Sequence, residues 1–355
     1  MIKNKVLILA MLIVAIVAVG SVSAADDVAV DIDEPADDIA IDEIAIEDDS
    51  ADETDEIVET EQTTTSYNVD ENTPSIQAVI NTEETNSHIV SFKPIQYNLT
   101  NALTIHGNVT LYGNGATLVG SGNNIFDIAG ASNFTITGFN IITNSTKAAF
   151  YGANVFNAEI TNNNITGGKD GINIMQTHDN ITISGNTITN FTRDGISLVD
   201  HRNLSDDDWT NRGNSVISNN VITGISIAST EVGMFFGGNF KGTISGNTIT
   251  NVAEGIEFTG KKNKTNGRLY VEFTNNNISN IDIGLYMNNH NVTYFNISNS
   301  NIGLNSPNIS YAIYAPANYQ ATGFIGVYNS NFNGTISNRF VTSVGNNYSN
   351  VTGFP

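Results

Sequence analysis

Between residues 133 and 335 one short pattern of apolar and polar positions returns about seven times. It reads EITNNNIT from Glu159, TISGNTIT from Thr182 and again from Thr243, VISNNVIT from Val216 and EFTNNNIS from Glu272, with weaker copies from Thr135, Asn296 and Gly326. Such alternation marks half-buried strands. After each clear copy a second strand opens on glycine: Gly171-Ile172-Asn173-Ile174, Gly195-Ile196-Ser197-Leu198, Gly233-Met234-Phe235-Phe236, Gly255-Ile256-Glu257-Phe258 and Gly284-Leu285-Tyr286-Met287. The anchors Ile160, Ile183, Ile217, Ile244, Phe273, Ile297 and Val327 lie 23, 34, 27, 29, 24 and 30 residues apart. A coil of about 22–24 residues with variable insertions explains that series.

Each run is too short to bury anything alone. Stacked copies make a continuous apolar interior and pair every backbone group with the coil above and below, ~4.8 Å away. The pattern therefore predicts an all-β solenoid, a parallel β-helix of about ten coils and on the order of 50 Å long. Asn163, Asn186, Asn220, Asn247 and Asn276 each precede an apolar position by two residues, which places them in one column as a hydrogen-bonded ladder that tolerates the left-handed backbone of a turn. Phe139 before the column, and Ser300 and Ser330 after it, are expected to end the ladder. Earlier runs at 89–92, 103–105, 109–112, 116–119 and 125–128 predict further strands, and Ser75 to Ile80 a short amphipathic helix capping the N-terminal end. Leucine-rich and propeller repeats do not fit, since neither the Leu spacing nor four long strands per unit is present.

Composition agrees. Hydrophobic residues make up 40% and charged ones only 14%, with Asn, Thr, Ser and Gly filling the difference, a mixture suited to strands and tight turns rather than helices. The absence of cysteine excludes disulfides, thiolate metal sites and cysteine nucleophiles. Lys3 and Lys5, the apolar stretch Val6 to Val19 and the small residues Gly20 to Ala24 read as a secretory signal, 1–24, with retention as an anchor as the alternative. Eighteen of the 36 acidic residues fall between 26 and 61, where there is no Lys or Arg, so most of the net charge of −22 belongs to one segment. Residues 25–73 are expected to be a disordered acidic spacer and 74–355 the β-helix domain. This acidity argues against nucleic acid, whose phosphates require clustered Lys and Arg.

The recurring "IxGNxIT…GIxI" coil resembles the repeat of the pectin-lyase-like right-handed parallel β-helix superfamily over roughly residues 75–345. With the signal and acidic spacer, the chain resembles adhesin-like surface proteins of methanogenic archaea. That resemblance specifies a fold more than a function, because the superfamily includes lyases, glycosidases, epimerases and non-enzymatic surface proteins.

Candidate chemistry is sparse. The polygalacturonase-like set of Asn-Thr-Asp, Asp-Asp and Gly-His-Gly does not occur. Asp170-Gly171-Ile172 and Asp194-Gly195-Ile196 put two aspartates in successive coils beside Lys169 and Arg193, which are either a carboxylate set or ordinary turns with offset charges. The longest well-defined insertion, Val199 to Gly213, holds Asp200, His201, Arg202, Asp206, Asp207, Asp208, Trp209 and Arg212, with His178 one coil earlier. Loops on a rigid scaffold are where binding residues collect. Trp209, Asp206, Asp208 and His178 are candidates for stacking on and hydrogen-bonding to a sugar, and Asp194, Asp200, His201 and Arg202 for catalysis. The bland alternative makes the aspartates a solvated loop and Trp209 a hydrophobic clip. A calcium site from Asp206, Asp208 and Asp194 is conceivable, although the spacing matches no established calcium loop. The cluster Gly260 to Arg268 is either an anion-binding loop or a solvated turn, and Asn-x-Ser/Thr sites such as Asn98, Asn108 and Asn203 are candidate glycan acceptors.

These features predict an exported protein, on the cell surface or secreted, that binds extracellular carbohydrate or cell-envelope components without catalysis and does not span the membrane once its signal is removed. The alternatives are a carbohydrate-active enzyme (lyase, glycosidase or epimerase) of the same fold and a purely structural envelope component.

Overall fold

A computed structural model describes residues 64–82, 86–143, 146–260, 267–288, 292–317, 319, 321–341, 347–349 and 352–353. The predicted signal, all of the spacer before residue 64 and residues 261–266 of the basic insertion lie outside them. Among the described residues no helix is long and apolar enough to cross a membrane.

The chain winds through three stacks of parallel strands, called here faces A, B and C. One coil shows the path: Asn164–Gly167 lies on face B, and Asp170–Ser184 runs along face C and bends onto face A. Register is kept coil after coil. On face A, Ile136, Ile160, Ile183, Ile217, Ile244, Phe273, Ile297 and Val327 stack in one column. On face B the column runs from Ile141 through Ile165, Ile188, Ile222, Ile249 and Ile278 to Ile302. On face C it runs from Phe150 through Ile172, Ile196, Met234, Ile256 and Leu285 to Ile313. All of these side chains are fully buried, each contributing about 1.5–3 kcal/mol of apolar burial.

Several strands are longer than the three-to-five-residue runs the pattern suggests. Phe150–Thr161 spans 12 residues and Asp170–Ser184 spans 15, because the passage from face C to face A is a bend within a paired strand. Left-handed residues such as Asn154, Asn157, Gln176 and Asn180 make that bend.

The Asn column is a continuous hydrogen-bonded file. Asn163 Nδ2 donates to Asn186 Oδ1 at 3.1 Å, Asn186 to Asn220 at 3.0 Å, Asn220 to Asn247 at 3.0 Å and Asn247 to Asn276 at 3.0 Å. Each amide also donates to an isoleucine carbonyl, for example Asn220 to Ile183 at 2.9 Å. Two details differ from the sequence reading. The left-handed residue is the one before each ladder position, with φ of 54° at Asn162, 67° at Gly185, 55° at Asn219 and 66° at Gly246. The column also continues past Asn276, because the backbone N–H of Asn276 donates to Ser300 Oγ at 3.2 Å and that of Ser300 to Ser330 Oγ at 3.1 Å. A hydroxyl in that column supplies the same acceptor.

A helix forms at Ile76–Ile80, started by Ser75 Oγ accepting from the N–H of Ala78. Gln77 ties it to face C, donating to the Thr104 carbonyl at 2.8 Å and accepting from the Thr104 N–H at 2.7 Å. The helix does not begin the ordered chain. Strand Thr65–Val69, within the stretch assigned to the spacer, pairs residue by residue with His88–Phe92. The boundary at 73/74 therefore moves to before Thr65, because these five residues have a neighbouring strand to satisfy their backbone.

Candidate functional site

The insertion after face C is organised around a buried charge. Asp200, which ends strand Asp194–Asp200, is fully buried. Arg202 grips it at 2.7 Å through one terminal nitrogen and Arg212 at 2.5 Å. Arg212 also donates to the His178 carbonyl at 2.8 Å, and Arg202 to the same oxygen at 3.2 Å. Burial alone would raise the Asp200 carboxyl, but the hydrogen bonds from Arg202 and the charge of Arg212 hold it below its ordinary value. His178 is fully enclosed, and burial followed by the Arg212 charge pushes it down to about 3, so it is neutral. Asp200 and His178 thus lie beneath the surface as the anchor of the insertion, not in an open groove. A buried carboxylate forces this arrangement, since it must be paired to be tolerated.

The outer part of the insertion is helix Asp206–Thr210, closed at its start by a capping box between Ser205 and Asp208. Asp206 pairs with Arg268, whose guanidinium sits 5.9 Å from the Trp209 ring centroid. Lys241 Nζ donates to the carbonyls of Thr210 at 3.0 Å and Arg212 at 2.9 Å, fixing the helix from below. Trp209 is half-buried and His201 exposed. The candidate set is therefore divided. Asp194 stands at the opposite end of its strand from Asp200, six residues or about 20 Å away at the usual rise. Asp194, Asp206 and Asp208 each have a separate partner (Arg193, Arg268 and Ser205), so they do not converge as calcium ligands.

A different surface gathers chemistry. On the outward side of face C, Asp127, Tyr151, Asn173, Ser197, Phe235, Glu257, Tyr286 and Tyr314 occupy one column. Beside it runs a second column, Asp170, Asp194, Val232, Glu254, Ile283 and Tyr311. Asp170, Asn173, Asp194, Ser197 and Val232 in these columns are buried, whereas farther along Glu254 and Glu257 are half-exposed on either side of buried Gly255 and Ile256. Arg193 bridges Asp170 at 2.6 Å and Asp194 at 3.2 Å.

Three carboxyls on this face are shifted together. Burial, with the Asp170 charge adding to it, raises Asp194 to about 7. Burial and then the charges of Asp282 and Asp194 raise Glu254 to about 7, and burial with Glu254 and Asp194 does the same for Glu257. Glu254 Oε2 has no hydrogen-bond partner among the described residues. Near neutrality these groups can both donate and accept, as sugar recognition and general acid–base chemistry require. Toward the N-terminal end of the face, a cavity of about 490 Å³ opens over Asp170, Asn173 and Arg193. The sequence reading paired Asp170 with Asp194 but passed over Glu254 and Glu257. The signal was present: EGIEF occupies the register of DGINI and DGISL.

With this geometry in view, the family model described as a right handed beta helix region matches residues 95–268. Among solved structures, PfbA, a surface adhesin of Streptococcus pneumoniae, superposes with a TM-score of 0.50 at 13% identity, covering 78% of this chain and 76% of that one. The A-module of the Azotobacter vinelandii mannuronan C-5 epimerase AlgE4 gives 0.40 at 13% identity, covering 80% and 100%. The catalytic domain of a GH87 alpha-1,3-glucanase in complex with nigerose gives 0.39 at 14% identity, covering 81% and 69%. No curated protein sequence matches significantly. At such low identity the likeness concerns architecture alone, and together with the family match it makes this chain a right-handed parallel β-helix protein.

Proposed function

We propose that the protein is an exported, cell-surface or secreted β-helix that binds carbohydrate along the outward side of face C without transforming it. One observation carries this reading: aromatic rings and carboxyl groups share a single outward column, from Asp127 and Tyr151 to Glu257, Tyr286 and Tyr314. Rings offer an apolar platform to a sugar face, and carboxyls satisfy its hydroxyls. The residue pattern 1–24 supports export, the acidic residues before Thr65 serve as a spacer, and the resemblance to adhesin-like proteins of methanogenic archaea agrees with a surface location. Trp209 and Asp206, held by Arg268, form in this reading a clip for the insertion.

A glycan-array screen of wild type, Tyr286→Ala, Glu257→Gln and Trp209→Ala tests it. Loss of binding in the first two variants and retention in the third is the expected result. Loss confined to Trp209→Ala would move the site to the insertion.

The three carboxyls raised to about 7 favour a second reading, a carbohydrate-active enzyme of the same fold. Product release from a bound glycan that stops in Glu254→Gln would establish it and end the non-catalytic reading.

A further inference from the structure

The outward side of face B departs from its polar files at the N-terminal end. Strands Gln96–Leu99, Thr117–Gly120 and Asn140–Thr143 pair in turn. Their register puts Asn98, Val119 and Ile142 in one outward column, with Thr166 and Thr189 following in the next coils. Coils lie about 4.8 Å apart, so two apolar side chains stand beside the Asn98 amide. Ile142 is 47% exposed, Val119 and Leu99 are half-buried, and together they floor a recess of about 360 Å³. Single exposed apolar residues are ordinary, but a contiguous group beside a polar rim marks a contact site.

The rim carries an independent signal. Asn98 and Thr100 are exposed and belong to the triplet Asn98-Leu99-Thr100, the pattern of a glycan acceptor in an exported protein. Asn98 Oδ1 accepts from Gln96 Nε2 at 2.9 Å, whereas Asn98 Nδ2 has no hydrogen-bond partner among the described residues. Other triplets of this kind spend that nitrogen inside the fold. The Nδ2 atoms of Asn133, Asn180, Asn296 and Asn333 donate to Asn108, Asn157, Glu272 and the Gly303 carbonyl. Among the described residues, Asn98 is the one triplet asparagine that lines the recess.

We propose that Asn98 is an N-linked glycan acceptor and that the first sugar of its glycan lies over Val119 and Ile142. The inference rests on the export reading and is independent of ligand binding on face C. In the transfer a bond forms between Asn98 Nδ2 and the anomeric carbon of a phosphate-activated sugar donor. The carbon–oxygen bond to phosphate breaks, the phosphate leaves with the electron pair, and the amide gives up one proton to a base. A sugar ring turns C–H groups to one side and hydroxyls to the other, so a ring over the recess covers apolar surface while its polar side stays in water. Three apolar side chains would hold a free sugar weakly, but a covalent link keeps the ring at high effective concentration. A second protein fits the recess poorly. A stable interface buries about 800 Å² per partner, and Asn98 and Thr166 bound this recess at either end.

The test is mass-spectrometric peptide mapping of the protein, recovered separately from the cytoplasm and from outside the membrane of the cells that make it. Expected is a sugar mass increment on Asn98 in the exported fraction, lost in Asn98→Gln and Thr100→Ala and kept in Thr100→Ser, which retains the hydroxyl. Asn98→Gln, altered only at an exposed position, is expected to show stronger hydroxyl-radical labelling of Val119 and Ile142 with the circular dichroism of wild type. A bare Asn98 in exported protein overturns the inference and leaves the export reading standing. Protein found only in the cytoplasm ends both. An occupied Asn98 whose loss leaves the labelling of Val119 and Ile142 unchanged overturns the placement of the sugar.

Discussion

Gly195 lies so close to the next coil that an added Cβ would stand 2.6 Å from the Gly233 carbonyl oxygen and 2.6 Å from Ile222 Cγ2. The same contact recurs at Gly171 and Gly255, so glycine opens each face C strand for reasons of space. Gly255→Ala is expected to lower stability by about 1–3 kcal/mol, as overpacking does, measured as a shifted urea midpoint. Asn220 satisfies both neighbouring coils. Asn220→Ala would remove the acceptor of the Asn186 N–H and the donor to the Ile183 carbonyl, while the Asn186 amide keeps the Ile160 carbonyl, for a loss of about 2–3 kcal/mol. Asn220→Ser should lose less, because Ser300 and Ser330 already fill that column. Glu257 carries a pH effect. Its folded value of about 7 exceeds the ordinary carboxyl value, so the folded state holds the proton more tightly. Stability from this group is fully present below about pH 4 and falls as pH rises from about 4 to 7. Glu257→Gln should therefore stabilise at pH 8 by about 1 kcal/mol after allowance for solvent screening, and leave pH 4 unchanged, in paired thermal melts.

Among the elements, the insertion depends most on a few contacts. Arg202 and Arg212 converge on Asp200, and Lys241 holds the two carbonyls at the end of the helix. Arg212→Ala would leave Asp200 half-paired in a buried position, a change expected to cost about 3–5 kcal/mol. Limited proteolysis should then cut between 201 and 214 faster than in the wild type. His178 stays neutral down to about pH 3, and Asp200 is held in its charged form, so the same anchor should survive mild acid. A protease digest at pH 5 matching the one at pH 7 would bear this out.

For the β-helix as a whole, function depends on which outward columns fall side by side. Faces A and B put mainly Asn, Thr and Ser outward in regular files, such as Thr166 with Thr189 at 3.2 Å and Thr161 with Thr137 at 3.0 Å, and face A adds a stack of half-buried rings, Tyr270, Tyr294 and Phe324. Those polar residues satisfy one another. Face C sets Tyr151, Phe235, Tyr286 and Tyr314 among the partly buried carboxyls of Glu254 and Glu257, which is why ligand binding is expected there and why a Tyr286→Ala array is the most direct measurement at this scale.

The repeat period, the interior isoleucine columns and the position of the Asn file follow from sequence alone. A strand that must bury one side and pair above and below admits only one register of IxxNxI. The stacking of Asp170 on Asp194 was legible for the same reason. What the sequence could not decide was which polar residues the fold would consume. Asp200 and Arg202 look like catalytic candidates and His178 like a ligand-binding one in one dimension, yet folding packs them with Arg212 around the buried Asp200, because a carboxylate under a strand end must be neutralised by whatever cations the loop brings back. Glu254 and Glu257 look like ordinary strand residues. Only coil stacking brings them to Asp194, and only their desolvation there raises all three together, since burial and charge coupling depend on distances across coils that no spacing along the chain encodes.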